Sequence, residues 1–216
     1  MAILYGIGAS PFVRKVRVVL SEKGLPYERE EILPMNVPPE FKKISPLGKI
    51  PAYRDGDVTL CDSSVICAYL ERVKPVPPLY PADAYDYARA LWFEEFADTA
   101  LVQVFGPKIF MQRIVNPRFF GQPTDEAAVA KAVKEELPPL FDYLEGQLDG
   151  AEWLVGKQFS IGDIGVGTQF VNLAYAGEGV DPARWPKLAR YVARVHERPS
   201  FRGLIQEERA SLGISG

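Results

Sequence analysis

Residues 48–71, GKIPAYRDGDVTLCDSSVICAYLE, decide the fold. Residues 50–54 (IPAYR) and 58–60 (VTL) flank a short turn rich in Asp and Gly, the kind that joins antiparallel strands. After the second strand the period changes. Val65, Ile66, Tyr69 and Leu70 fall at helical spacing, and the helix runs to residue 73. This hairpin followed by a helix has to complete a sheet begun upstream.

Upstream, residues 2–7 (AILYGI) read as a short buried strand. Ser10 opens a helix with apolar positions Val13, Val16, Val18, Val19 and Leu20, and Gly24 stops it. Residues 26–32 (PYEREEI) alternate like a strand. A strand, a crossing helix and a second strand predict a parallel pair, to which the hairpin adds antiparallel strands. Residues 33–48 are too rich in proline for more than one helical turn. The predicted order is β-α-β-(α)-β-β-α.

Downstream, residues 74–81 (KPVPPLYP) form a stiff, extended linker. Everything after it reads as helix. The spacing predicts a long helix over 82–115 bent at Pro107, a loop over 116–124, and a helix over 125–148 disturbed at Pro138 and Pro139. A further helix is predicted over 159–176 and two more within 186–208. Ser160 three residues before Asp163 is an acidic capping box, with Phe159 and Ile164 placed as its hydrophobic staple; this reading is purely structural. The expected division is an α/β domain over 1–74, a linker over 75–84 and an all-helical domain over 85–216.

Composition narrows the function. Twenty-five basic against 28 acidic residues give a net charge of −3, with no dense basic block, so nucleic acid is not an expected partner. No apolar run reaches the ~20 residues that cross a bilayer, and no secretory leader is evident, so the expected location is the cytoplasm. Cys61 and Cys67 have neither redox nor zinc spacing and read as reduced thiols. The single histidine, His196, stands in the last turn of a helix, where a cation suits the helix dipole. It offers no basis for a His-rich metal site or a serine triad.

The chemistry therefore turns on hydroxyls and backbone. Ser10-Pro11 is the favoured pair for a helix N-cap and first residue. A serine oxygen that caps a helix still has its proton to donate. Ser10 can thus hold a thiolate at the positive end of a helix without being a nucleophile, lowering the pKa of the thiol. Pro51 is an ordinary edge residue if its peptide bond is trans, the commoner state, and exposes the Ile50 backbone if it is cis. Asp62-Ser63 reads either as a helix cap or as a receptor for an amino-acid head group, the serine taking a carboxylate and the aspartate an ammonium. Tyr5, at the end of the first strand, is a rival hydroxyl and equally a core aromatic.

Taken in order, S-P-F-x-x-K-V-R, then P-L-G-K-I-P, then Asp-Ser opening a helix, a proline-rich linker and a helical half with F-S-x-x-D resemble the cytosolic glutathione S-transferases. The likeness is to serine-type members such as tau, theta and zeta, of bacterial style, and spans essentially the whole chain. It implies a thioredoxin-like N-terminal domain, an all-α C-terminal domain and a homodimer. By the same resemblance Ser10 hydrogen-bonds the sulfur of glutathione, Ile50 pairs its backbone with the cysteinyl part beside a cis Pro51, and Asp62 and Ser63 hold the γ-glutamyl end. Asn36, Lys42 and Lys49 are candidates for the glycyl carboxylate, with Lys49 favoured. Arg14, Lys15 and Arg17 are assigned to a helix face or structural ion pairs, with Arg14 able to add positive potential near the sulfur.

The expected activity is transfer of glutathione, activated as thiolate, to a small hydrophobic electrophile, with peroxidase or isomerase activity open to the same site. Glutathione is co-substrate; no metal or tightly bound cofactor is expected. With serine at position 10, little thiol-disulfide or dehydroascorbate reductase activity is expected. The electrophile is expected in an apolar cleft between the domains, with Phe12, Phe105, Phe110, Met111, Phe119 and Phe120 as candidate lining. The alternative is a non-catalytic dimer of the same fold that binds glutathione or another ligand.

Overall fold

The first half gives four short strands, of which the second alternates in burial: β1 (Ala2–Tyr5), β2 (Tyr27–Glu30), β3 (Ala52–Asp55) and β4 (Val58–Cys61). The computed structural model describes residues 1–214. The strands lie in the order β2-β1-β3-β4, with β1 parallel to β2 and both β1–β3 and β3–β4 antiparallel. This is the predicted parallel pair with an added hairpin. Helix α1 (Pro11–Glu22) makes the crossing from β1 to β2, and α2 (Ser63–Val73) follows β4. The proline-rich segment yields one short 3₁₀ helix, Pro39–Lys43, whose Phe41 packs with Tyr5, Ile32 and Ala52 in a small core.

Helix α1 is buried over every residue from Val13 to Leu20, including Arg14, Lys15 and Arg17. Those cations are tolerable only because each has a partner. The Arg14 Nε and Nη2 atoms both donate to Glu208 Oε2, the former at 2.8 Å. Lys15 Nζ donates to Ser64 Oγ at 3.0 Å. Arg17 Nε donates to Tyr27 Oη at 3.0 Å, and its two Nη atoms meet Glu207 and Glu208. Burial works against the Arg17 charge, but the hydrogen bonds and charges of Tyr27 and Glu207 outweigh it and raise its pKa.

Helix α3 (Ala84–Phe96) continues through π-helical turns at Ala97–Leu101, a short segment α4 (Val102–Val104) and further π-helical turns over Phe105–Phe120. The Thr99 hydroxyl bonds back to the Glu95 carbonyl at 2.6 Å, one way a helix is locally widened. Pro107 and Pro117 cannot donate to the ladder, and wide turns surround both. The loop expected at 116–124 is corrected accordingly: helical turns persist to Phe120 and end at Gly121 in the left-handed conformation. Helix α5 (Glu126–Lys131) gives way to a π-helical turn at Ala132–Glu136, and α6 (Leu137–Gln147) then starts on Pro138 and Pro139, the predicted disturbance.

Helix α7 (Ile161–Tyr175) is buried along almost its whole length and is the axis of the helical half. Gly162 lets it approach α3 closely, since a Cβ there would meet the Ala90 carbonyl at 3.1 Å and the Phe93 Cβ at 3.0 Å. Phe170 of α7 joins Phe105, Phe141 and, through Phe141, Trp185 in an aromatic core. Helices α8 (Pro186–Glu197) and α9 (Pro199–Leu212) complete the chain.

Among the described residues, Met1–Tyr80 together with the segment 199–214 form one compact unit, and Pro81–Arg198 the other. The final helix, assigned by sequence to the helical half, thus belongs with the sheet. Ion pairs contribute to this placement, beside the buried Phe201 and Leu212 of α9. Glu207 and Glu208 of α9 supply the carboxylates that the buried arginines of α1 meet. Truncating one partner of the fully buried Arg14–Glu208 pair costs about 3–5 kcal/mol.

Candidate functional site

Strand register brings three separate turns to one edge of the sheet. Tyr5 pairs with Ala52, and Ala52 with Cys61, so the last residue of β1, the first of β3 and the last of β4 form one row. Gly6–Ser10, Ile50-Pro51 and Asp62-Ser63 therefore all leave the sheet at the same edge.

In the first turn, Ser10 is the N-cap of α1, with Pro11 at the first helical position and extended backbone (φ −70°, ψ 126°). Its Oγ accepts from the Val13 N–H at 3.4 Å. Among the described residues, nothing accepts its proton. The cap reading and the free-proton reading are thus compatible in the same side chain. Gly6, which turns the chain out of β1, has φ +138°. A Cβ there would lie 2.6 Å from Val13 Cγ2 and 3.2 Å from Ile50 Cβ. Only glycine allows α1 and the Ile50 turn to close around this point.

In the second turn, the Ile50–Pro51 peptide is cis. Neither the N–H nor the C=O of Ile50 has a partner among the described residues. Ser45, which sequence reasoning missed, holds this turn: its buried Oγ donates to the Lys49 carbonyl at 2.7 Å and accepts from the Lys49 N–H at 3.2 Å. The signal for it was weak, one serine four residues before the lysine. The Lys49, Asn36 and Lys42 side chains are all exposed, as solvated groups would be.

In the third turn, Asp62 adopts φ +76° with ψ 131°, a strained backbone for a residue with a Cβ. Its carboxylate caps α2, accepting from Ser64 N–H at 2.9 Å and Val65 N–H at 3.4 Å. Ser63 is 3 % exposed, and its hydroxyl has no partner among the described residues. The Lys15–Ser64 bond ties α1 to the head of α2, so one helix carries Ser10 at its start and braces the third turn from its middle.

The remaining candidates separate. Tyr5 is 2 % exposed and packs on Phe41 with ring centroids 5.9 Å apart, a core position. Phe12 is half-buried in the first turn of α1. Phe105 is wholly buried in the aromatic core of the helical unit. Phe110 is also buried, Met111 is half-buried, and Phe119 and Phe120 are exposed. His196 Nε2 lies 3.0 Å from the Gly167 carbonyl, a link between α8 and α7. Cys61 and Cys67 form no disulfide.

The edge combines a hydroxyl proton at a helix start, an open backbone N–H and C=O pair, a carboxylate and a second hydroxyl at another helix start. Such a set can take an extended peptide-like ligand that carries a thiol, an amide, an ammonium and a carboxylate. Comparison with known proteins points the same way. The model of the glutathione S-transferase N-terminal domain matches residues 4–78, and that of the C-terminal domain residues 126–194. The chain is 33 % identical over 172 residues to glutathione S-transferase 3 of Zea mays, covering 74 % of this chain and 72 % of the relative. It is 29 % identical to glutathione S-transferase U4 of Arabidopsis thaliana over 90 % of this chain and 84 % of the relative. The crystal structure of a glutathione S-transferase from Rhodospirillum rubrum superposes with a TM-score of 0.86 at 28 % identity, covering 94 % of this chain and 91 % of the other.

Proposed function

Since the chain belongs to the glutathione S-transferase family, we propose that it binds glutathione along this edge and transfers it, as thiolate, to a small hydrophobic electrophile. Ser10 donates a hydrogen bond to the sulfur, whose own proton passes to solvent, while its oxygen caps α1. The N–H and C=O of Ile50 pair with the cysteinyl backbone. Ser63 binds the γ-glutamyl carboxylate at the start of α2, Asp62 its ammonium, and Lys49 the glycyl carboxylate. Phe12, two residues from Ser10, presents an apolar face to the electrophile. The observation that carries this reading is the row Tyr5–Ala52–Cys61, which brings the three turns to one edge.

The chemistry follows from the donors. A hydrogen bond to the charged form and the positive end of α1 both favour thiolate over thiol. Holding that thiolate beside the electrophile supplies the rest through proximity. Tyr5 has no part in it, because its ring is committed to the core.

The test compares turnover of a generic aryl halide by the unaltered protein, Ser10→Ala and Tyr5→Phe, with glutathione binding followed by calorimetry. Ser10→Ala is expected to lower kcat/KM by about 10²-fold or more, equivalent to about 3 kcal/mol of transition-state stabilisation, with binding largely kept. Tyr5→Phe is expected to retain activity. Undiminished turnover in Ser10→Ala would remove Ser10 from the mechanism. Binding of glutathione without turnover over a broad electrophile panel would favour a non-catalytic binder instead.

A further inference from the structure

The turn that carries Ser10 rests on a partly buried ionic cluster, two of whose five members come from the far end of the chain. Arg14, one helical turn beyond Ser10, is fully buried, and Glu208 of α9 is 1 % exposed. Arg14 reaches in two directions. Its Nε and Nη2 donate to Glu208 Oε2, and Nη2 also donates to the Ala9 carbonyl at 3.4 Å, next to Ser10. A second, independent contact lies at Gly8. A Cβ on Gly8 would meet Arg29 Nη1 at 2.9 Å, Arg17 Nη1 at 3.1 Å and Glu208 Cγ at 3.5 Å. The backbone of Gly8–Ala9 is therefore seated directly on the cluster. Its members are Arg14 and Arg17 of α1, Arg29 of β2, and Glu207 and Glu208 of α9, with Arg29 joined to Glu207 at 2.7 Å and to Glu31 at 3.1 Å.

We propose that Glu208 is a positioning residue for Ser10, acting through Arg14 on the Ala9 carbonyl. Two donors converging on one carboxylate oxygen fix the plane of a guanidinium better than a point charge can. With that plane fixed, Nη2 holds the Ala9 carbonyl, and the peptide leading into Ser10 has a single orientation. The aim of the Ser10 hydroxyl is then set from the last helix of the chain. Glu208 itself touches neither the proposed ligand nor the reacting atoms. This inference rests on the role proposed above for Ser10.

A through-space role and a positioning role have opposite signs. Removing the Glu208 charge leaves more positive potential near the sulfur, which by itself lowers the pKa of the bound thiol. Releasing the Ser10 turn weakens the hydrogen bond to the thiolate, which raises it. The experiment titrates the ultraviolet absorbance of the glutathione thiolate bound to the unaltered protein, Glu208→Gln, Ser10→Ala and the double variant, with thermal melts and calorimetric glutathione affinity alongside. Glu208→Gln is expected to bind glutathione with near-unaltered affinity but to raise the bound thiol pKa by about one unit, and so to lower kcat/KM about tenfold at a pH below that pKa. In the Ser10→Ala background the rise should vanish, leaving at most the through-space lowering. Should Glu208→Gln fail to fold, Arg14→Lys keeps the charge and removes the fork, and the same rise is expected. An unchanged or lowered thiol pKa in the folded variant overturns the proposal and leaves the Ser10 reading intact. If Ser10→Ala itself leaves the thiol pKa unchanged, both fall.

Discussion

Ser10 and Gly6 show how much a single backbone position decides at this edge. Ser10 has one oxygen and one proton, and the oxygen is given to Val13 N–H while the proton points to no described acceptor. Gly6 works by absence: with φ +138° and no Cβ, it lets Val13 and Ile50 come together across the exit of β1. Gly6→Ala combines an unfavourable backbone region with a contact that something must yield to, and should lower stability by about 3 kcal/mol. Urea unfolding measures this as a reduced midpoint at constant slope; a midpoint within error of the unaltered protein would refute the packing argument. Asp62 is the counterpart, a strained residue with a Cβ whose carboxylate caps α2. Its identity as a cap was legible in the sequence, whereas its positive φ was not, because the pair Asp-Ser gives no sign of backbone strain.

At the scale of elements, helix starts do most of the specifying. The acidic capping box forms as its spacing predicts. Asp163 accepts from the Ser160 N–H at 2.9 Å and the Ser160 hydroxyl at 3.0 Å, and also from Leu154 N–H and Tyr191 Oη. Burial pushes the Asp163 pKa up to about 6, and the four hydrogen bonds only partly offset it. Between the unfolded value of 3.8 and about 6 the folded state therefore holds a proton that the unfolded state releases. The Asp163 contribution to stability must grow as pH falls through this window, by about 3 kcal/mol for a shift of about two units. Denaturant unfolding of the unaltered protein and Asp163→Asn between pH 7 and about 4 should show their difference moving in favour of aspartate. A difference that moves the other way would mean the hydrogen bonds outweigh burial. Two features of the elements were hidden from the sequence, for separate reasons. The continuation past Asn116 was hidden because Pro117 reads as a loop residue in a tight helix yet fits wide turns. The burial of Arg14, Lys15 and Arg17 was not visible because the carboxylates for the two arginines lie roughly 190 residues away in sequence, on a helix whose own pattern carries no hint of its partner.

Over the whole molecule, the chain folds as two units, and the sheet-containing unit includes the last helix, which supplies carboxylates to its buried arginines. The architecture of that unit was legible from one hairpin followed by a helix, because turn chemistry and a change of period are local signals. The residues of the edge were legible mainly in combination, since serine before proline, lysine before Ile-Pro and aspartate before serine each have an ordinary structural use. Register supplies what spacing alone lacked, by showing that their three turns leave the sheet from one row. The central claim is that this row is a glutathione site and that Ser10 serves helix and thiolate at once. A crystal structure with glutathione bound tests it most directly. The expected result is a sulfur about 3.2 Å from Ser10 Oγ, with that oxygen still accepting from Val13 N–H and the cysteinyl backbone paired with Ile50. A sulfur turned away from Ser10, or glutathione bound elsewhere than on this edge, would contradict the account.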